Sequence, residues 1–224
     1  MIPLLRPTKL RYYLTAMQAR GFGPAAVLAG SGVTQARLRD AAFLMDSRQY
    51  EIVISNMLRL TGNPALGLEL GASVKLTNFG ILAHAMMSAA TLREAVALWV
   101  RYYNLVGMTI QLRLGEERGS RWTMLIDAQG TEGEVRRFCI EEIVMTANRL
   151  GAALCDQPYQ PERCFFDYPP PAHAARYADF LPCDIEFAAP QSGMTTRAPG
   201  LDTRLEGHDP EFNEWSPGTI LILL

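Results

Sequence analysis

The chain has 224 residues, of which 49% are hydrophobic and 20% charged, and its formal net charge is −2. This composition is typical of an ordinary globular domain and excludes a disordered chain, a collagen-like repeat and a disulfide-rich small protein. No apolar run reaches the roughly 18 residues that a membrane-spanning helix needs, and the N-terminus lacks a signal-peptide pattern. We therefore expect a cytoplasmic protein without a membrane partner. The basic excess typical of nucleic-acid-binding domains is also missing.

The sequence contains no motif for metal binding or catalysis. Its cysteines form no Cys-x-x-Cys pair and its three histidines are scattered, so we expect buried or half-buried thiols, no metal site and no cofactor. These cysteines are Cys139, Cys155, Cys164 and Cys183. Phosphate-binding loops, nucleophile elbows and zinc-protease motifs are missing from the sequence. We expect a protein that is not an enzyme and has no catalytic residues.

Helical patterns fill the first hundred residues. Asp46 and Gln49 form a capping-box pattern before the apolar positions of one helix. The segment over 78–89 is apolar on nearly every face, which predicts a buried helix. Further helices are predicted over 9–20, 24–29 and 63–71, the last opened by Asn63-Pro64.

The strongest amphipathic pattern begins at Thr91, which forms a second capping-box pattern with Glu94. Apolar side chains then recur at helical spacing, which predicts one apolar face. They are Leu92, Ala95, Val96, Trp99, Tyr103 and Val106.

After Gly107 the apolar period changes from 3.6 to 2, which indicates strands. Two alternating runs flank a short segment over 115–119 that contains two glycines, and this order predicts a β-hairpin with its turn at 115–119. One face of the hairpin is predicted to be apolar and covered by helices. Its apolar positions are Met108, Ile110, Leu112, Leu114, Trp122, Met124 and Ile126.

The last third mixes helices and strands. Thr131 and Glu134 predict the start of a long helix over 132–154. Strands are predicted over 164–168, 184–187 and 192–197, and a short helix over 172–180. The whole order predicts an α+β fold in which N-terminal helices precede a small antiparallel or mixed sheet packed against helices.

Two local patterns have plain structural explanations. Residues 25–40 loosely resemble a helix-turn-helix, with Gln35, Arg37 and Arg39 where a DNA reader would present side chains. We favour ordinary helix–turn packing there. The spacing of Gly67 and Gly71 is explained by packing at the end of a helix.

The candidate ligand site combines aromatic and sulfur side chains with a few polar groups. We predict a partly apolar pocket between the helices over 78–106 and the hairpin. For His84 a packed core position is the alternative. Glu141 either fixes the polar end of a ligand or forms a surface pair with Arg137 one helical turn away. The candidate ligand-binding residues are Phe79, His84, Met87, Trp99, Tyr103, Trp122 and Glu141.

The segment over 61–103 carries a family resemblance. Its matching runs are Gly-Asn-Pro-Ala-Leu-Gly-Leu at 62–68, Phe-Gly-Ile-Leu at 79–82, Ser-Ala-Ala-Thr-Leu at 88–92 and Arg-Tyr at 101–102. With its flanks, the chain resembles the N-terminal effector domain of one branch of AraC-type bacterial transcriptional regulators, often labelled an arabinose-binding domain. Members of this branch respond to varied small molecules. One departure is Ala83-His84, where the branch usually has glycine and an aromatic residue.

The resemblance implies a ligand-sensing domain over 1–205 and a truncated linker over 206–224. Family members carry a further domain with paired helix-turn-helix units, which this chain is expected to lack. The implied partners are a small-molecule effector, a second copy of the chain, and DNA only through the missing domain. One alternative is a dimerisation or interaction module without a ligand. Another is a small enzyme acting through the carboxylates of the long helix.

Overall fold

Helices form the N-terminal part of the chain, as its periodicity predicts. The computed structural model describes residues 4–5, 7–40, 42–103, 110–128, 130–155, 159–198 and 200–211. The helices of these ranges are α1 (Thr8–Gln18), α2 (Pro24–Leu28), α3 (Gln35–Arg39), α4 (Ser47–Thr61), α5 (Leu66–Ser73), α6 (Ile81–Ser88), α7 (Leu92–Tyr102), α8 (Gly133–Leu154) and α9 (Tyr177–Phe180).

A five-stranded mixed sheet forms the second layer. Its strands lie in the order β3-β4-β7-β5-β6, and the β5–β6 pair is parallel while the other pairs are antiparallel. Two short strands, β1 and β2, form a separate antiparallel pair near the N-terminus. The predicted α+β class is therefore confirmed. The strands are β1 (Leu4–Leu5), β2 (Met45–Asp46), β3 (Gln111–Arg118), β4 (Arg121–Asp127), β5 (Gln160–Phe166), β6 (Asp184–Phe187) and β7 (Ser192–Ala198).

The long helix α8 lies between α5 and the sheet. Apolar side chains at helical spacing along α8 are buried, namely Ile140, Ile143, Ala147 and Leu150. The sheet face towards the helices is built from alternate residues, as a strand period of two requires. Buried side chains on this face include Trp122, Met124, Cys164, Phe166 and Met194.

Several predicted helix ends are confirmed and others shift. The capping box of α4 is formed, since Asp46 and Gln49 exchange hydrogen bonds between side chain and backbone. The helix predicted from residue 63 begins at Leu66, because the Asn63 side chain accepts from the Ala65 amide and makes a turn. The helix predicted from 78 begins only at Ile81. Gly80, at φ +53°, separates it from a 3₁₀ turn.

The predicted cap of α8 is wrong. Thr131 donates to the carbonyl oxygen of Ala128 instead of capping the helix, and Glu132 precedes the first helical residue without a capping bond from its side chain. The helix still ends at Leu154, as predicted. At α7, Thr91 accepts from the Glu94 amide, while the Glu94 carboxylate accepts from the amide of Ala90.

The hairpin exists, but its turn lies later than predicted. β3 continues to Arg118 and the chain reverses at Gly119-Ser120, where Gly119 has φ +63°. An irregularity in the pairing between Leu114 and Glu117 breaks the alternation. Leu114, predicted to be apolar and inward, is 38% exposed on this edge strand, although its pairing partner Met124 is buried. Val106 and Met108 lie outside the described residues.

The helix-turn-helix resemblance corresponds to two five-residue helices, α2 and α3. Leu28 and Leu38 are buried between them and the rest of the helical layer. Thr34 caps α3, and the Arg37 guanidinium lies 4.3 Å from the centre of the Phe43 ring. Local packing thus accounts for this pattern.

Residues 200–211 pack against the junction of α6 and α7. The Leu205 amide donates to the carbonyl oxygen of Ala90, and the Asp209 amide donates to that of Ser88. Arg93, near the start of α7, holds Asp202 at 2.9 Å and also pairs with Glu117 of β3. The predicted linker over 206–224 lies mostly outside the described residues, from 212 onward.

Candidate functional site

An ion pair joins α1 to α8 in the interior. The Lys9 Nζ atom donates to both carboxylate oxygens of Glu142, at 2.7 and 2.5 Å, and to the Tyr103 hydroxyl at 3.1 Å. The exposed fractions of the two charged side chains are 3% and 0%. Thr146, one turn later on α8, donates to the same carboxylate. Removing two charges from water is costly, so a buried ion pair is stable only when further hydrogen bonds compensate for the lost hydration. The contacts with Tyr103 and Thr146 supply such hydrogen bonds.

Aromatic rings surround the ammonium group. The ring centres of Phe79 and Tyr103 lie 5.9 and 5.2 Å from Lys9 Nζ, within the range of cation–π attraction. Trp99 packs edge-on against Tyr103, with 5.7 Å between ring centres. The indole Nε1 of Trp99 is buried without a hydrogen-bond partner among the described residues. We call Lys9, Phe79, Trp99, Tyr103 and Glu142 the Lys9 cluster.

The negative charge of Glu142 acts on the groups around it. Burial, and then the Glu142 carboxylate, raise the pKa of Tyr103 well above its ordinary value. The same two causes raise the pKa of Tyr13 and Tyr50 and bring the pKa of Cys139 to about 12. These hydroxyl and thiol groups therefore keep their protons, and Lys9 supplies the positive charge that balances the carboxylate.

Glu141 faces a different set of partners, because consecutive helical residues point about 100° apart. The Tyr177 hydroxyl donates to its Oε1 atom at 2.5 Å, and His173 Nε2 lies 2.7 Å from the same oxygen. The imidazole of His173 stacks on the Tyr177 ring, and the Tyr168 hydroxyl lies 3.0 Å from that of Tyr177. The second oxygen of Glu141 is buried without a partner among the described residues.

The structure brings together three of the seven predicted ligand-binding residues. Phe79, Trp99 and Tyr103 lie in the Lys9 cluster, whereas Glu141 lies on a neighbouring face of α8. Its alternative as a surface pair with Arg137 is wrong, because Glu141 is fully buried and Arg137 lies near Glu134 instead. Trp122 is buried on β4 beside Tyr159, at 6.4 Å between ring centres.

His84 and Met87 lie elsewhere on α6. The expectation that this helix is buried on nearly every face is wrong at His84, whose side chain is exposed, while Met87 is half-buried. The short helix α6 has eight residues between Gly80 and Ala89, and the side that carries His84 faces solvent although nearly all of its residues are apolar. A role of either residue in ligand binding stays a prediction.

Three surface cavities lie away from these residues. One of about 520 Å³ lies on the outer face of the sheet, around Arg121, Phe165 and Thr195. One of about 660 Å³ lies between the end of α4 and the start of α8, and one of about 460 Å³ beside α1 and α3. None of the seven predicted residues lines these three cavities. The members of the Lys9 cluster are buried, with at most 3% of each residue exposed.

Lys9, His173 and Tyr177 are not among the residues predicted from the sequence. Lys9 had a detectable signal, because it precedes Tyr13 by four residues and Met17 by eight, on the apolar face of α1. His173 and Tyr177 follow three prolines in an irregular segment, where no periodicity points to a buried position.

No helix within the described ranges is long and apolar enough to cross a bilayer. The described residues also hold no group of three or more His, Cys, Asp or Glu side chains able to bind a metal ion.

Comparison with known proteins gives consistent matches. Residues 21–205 match the family described as the arabinose-binding domain of AraC transcription regulators, N-terminal part. The ornithine utilization regulator of Pseudomonas aeruginosa is 31% identical over 175 residues, which are 73% of this chain and 51% of that protein. An uncharacterized HTH-type transcriptional regulator of Mycobacterium tuberculosis is 32% identical over 123 residues, 54% of this chain and 36% of that one.

A solved structure shares the fold. The transcriptional regulator CdpR from Pseudomonas aeruginosa superposes with a TM-score of 0.70 at 17% identity, covering 93% of this chain and 61% of that chain. The chain spans about half the length, or less, of the curated relatives it matches.

Proposed function

The chain belongs to the arabinose-binding-domain family of AraC transcription regulators, and from this premise we propose that it senses a small-molecule effector in the bacterial cytoplasm and thereby controls a DNA-binding domain. The observation that supports this most strongly is the Lys9 cluster. A buried ion pair is not required for stability, since apolar residues of similar volume often serve at least as well. Its presence among three predicted ligand-binding residues supports a binding role.

The chemistry of the cluster favours an effector that carries opposite charges. An α-amino acid has an ammonium group for Glu142 and a carboxylate for Lys9, and the rings of Phe79 and Tyr103 would cover its side chain. The effector would exchange one internal ion pair for two intermolecular ones. L-Ornithine is the first compound to test, because one relative is named for ornithine utilization.

The segment over 200–211 supplies a route to a following domain. It is hydrogen-bonded to the α6–α7 junction through Ala90 and Ser88, and α7 carries Trp99 of the cluster. An effector that shifts α7 would therefore also shift the segment over 200–211. The equilibrium moves only if the effector binds the two arrangements with different affinity.

Native mass spectrometry and thermal unfolding test the proposal. We expect an adduct of L-ornithine, or of another amino acid in a panel of the common ones, that is lost on collisional activation. The same compound should raise the Tm as its concentration increases. At a hundredfold excess over Kd it should add about 2.7 kcal/mol to the free energy of unfolding.

Matched variants distinguish the cluster from nonspecific binding. Tyr103→Phe removes the hydroxyl next to Lys9 and should weaken the adduct. Tyr12→Phe is the control, because the Tyr12 hydroxyl donates to the backbone of Leu70 and its removal should leave affinity unchanged. If no compound binds and the chain forms a concentration-dependent dimer, a dimerisation module without a ligand explains it instead.

A further inference from the structure

Two cysteines that are far apart in the sequence meet at the edge of the sheet. Cys164 lies on β5, and Cys183 immediately precedes β6. In the parallel register Cys164 is opposite Ile185, so Cys183, two residues earlier, is on the same face of the sheet. The two Sγ atoms are 3.6 Å apart. A disulfide bond would require the two sulfur atoms to approach to roughly 2.05 Å.

The two thiols differ in exposure and in acidity. Cys164 is fully buried, while Cys183 is half-buried and so can be reached from solvent. The hydrogen bond between the thiols lowers the pKa of Cys183, and the same bond together with burial raises the pKa of Cys164. Because the thiolate is the reactive form, Cys183 is suited to react first.

The remaining cysteines are poor competitors. Cys139 is buried in α8, and burial followed by the Glu142 charge raises its pKa to about 12. Desolvation also raises the pKa of Cys155 at the end of the same helix. All four cysteines lie in the described ranges, and Cys183 alone among them has a lowered pKa.

We propose that Cys164 and Cys183 form a reversible intramolecular disulfide when the chain meets a hydroperoxide. The Cys183 thiolate attacks the terminal peroxide oxygen, the O–O bond breaks, and the released alkoxide or hydroxide takes a proton. The resulting sulfenic acid is attacked by the Cys164 sulfur. The S–O bond then breaks, and water leaves with the Cys164 proton. Two thiols and one hydroperoxide give a disulfide, an alcohol or water, and a further water. A dithiol reductant reverses the step by exchange.

The disulfide would close the segment between the two cysteines, which are 19 positions apart. This segment carries His173 and Tyr177, the side chains that hold Glu141 of α8. Oxidation would therefore link the two ends of the segment covalently, while His173 and Tyr177 in its middle already bind Glu141. The expected result is slower local opening of residues 165–182 in the oxidised protein.

Peptide mapping tests the proposal directly. The reduced chain is treated with hydrogen peroxide, remaining thiols are blocked with iodoacetamide, and the protein is digested with trypsin without reductant. Arg137, Arg149, Arg163 and Arg176 place the four cysteines in four different tryptic peptides. We expect the Cys164 and Cys183 peptides to be joined, with the loss of two hydrogen atoms, and to separate after dithiothreitol.

Cysteine variants supply the controls. Cys183→Ser should abolish the cross-link and leave Cys164 in the thiol form, and Cys164→Ser should leave Cys183 as a sulfenic or sulfinic acid. Cys155→Ala should retain the cross-link. Hydrogen exchange of residues 165–182 should slow at least several-fold in oxidised wild type and not in Cys183→Ser. Four free thiols after peroxide treatment, or a cross-link between any other pair, would overturn the proposal.

Discussion

Gly71 of α5 lies directly against the backbone of Glu142 on α8. A Cβ atom at position 71 would overlap the carbonyl oxygen of Glu142 and would lie 2.5 Å from the Met145 Cβ. One turn earlier, a Cβ at Gly67 would lie 2.7 Å from the carbonyl oxygen of Phe138 and 2.9 Å from the Glu141 carboxylate. The two glycines thus allow the close helix contact that sets the positions of Glu141 and Glu142.

We predict that Gly71→Ala lowers the free energy of unfolding by about 2 kcal/mol, because the helices must separate and this cost exceeds the better helix propensity of alanine. Urea denaturation measures the change. Gly23→Ala is the control, since a Cβ at Gly23 meets no atom within 4 Å and the expected loss, that of a poorer N-cap of α2, is below about 1 kcal/mol. Equal losses in both variants would contradict close packing at Gly71.

Lys9→Met should cost about 3–5 kcal/mol, since it leaves Glu142 buried without its cation while keeping the apolar stem. In the double variant with Glu142→Gln the loss should fall short of the sum of the single losses by at least about 1 kcal/mol. A double-mutant cycle by urea denaturation measures this coupling.

The exposed pair Arg118–Glu116, with side chains 78% and 74% exposed, is the control for Lys9 and Glu142. Arg118→Met should change stability by less than about 1 kcal/mol. Additive losses at Lys9 and Glu142 would show that the two charges do not stabilise each other.

Asp167 makes stability depend on acid pH. Partial burial raises its pKa, but hydrogen bonds from Arg136 and Ser192 outweigh this and lower the pKa below its ordinary value. A carboxylate with a lowered folded-state pKa contributes stability above its unfolded pKa of about 3.9, and this contribution is lost as the pH falls through the folded-state value. Asp167→Asn should therefore cost about 1–2 kcal/mol at pH 7.

Urea denaturation of Asp167→Asn from pH 7 to pH 2 checks the sign. Its difference from wild type should shrink once the pH falls below about 4. Asp179→Asn is the control, because Asp179 is 64% exposed in its pair with Arg176 and should change stability by less than about 1 kcal/mol at any pH. A pH-independent loss at Asp167 would exclude the ionised carboxylate as its cause.

His84→Ala should alter the response to an effector more than it alters folding. Because the side chain is exposed, the free energy of unfolding should stay within about 0.5 kcal/mol of wild type. Affinity for L-ornithine, or for whichever amino acid binds, should change, while Arg48→Ala on the exposed side of α4 should leave it unchanged. Lost stability with unchanged affinity in the remaining folded protein would make His84 a structural residue only.

Local chemistry was predictable where neighbours in sequence decide the structure. The capping box of Asp46 and Gln49 and the apolar stripe of α7 from Leu92 to Trp99 depend on residues within one or two helical turns, and both are present. The turn of the hairpin was misplaced because a pairing irregularity near Leu114 shifts one strand against the other. Such an irregularity depends on the partner strand and leaves no signal in the periodicity.

The candidate site depended on contacts between distant parts of the chain. Periodicity and the family resemblance indicated an α+β regulatory domain and the aromatic residues Phe79, Trp99 and Tyr103. They did not indicate that Lys9 meets Glu142, 133 positions away, or that His173 meets Glu141. Amphipathic patterns identify which face of a helix is buried, but the partner of a buried charge follows from how helices and sheet pack together. Tertiary structure alone therefore decided which charges are paired, that His84 is exposed, and that Cys164 lies beside Cys183.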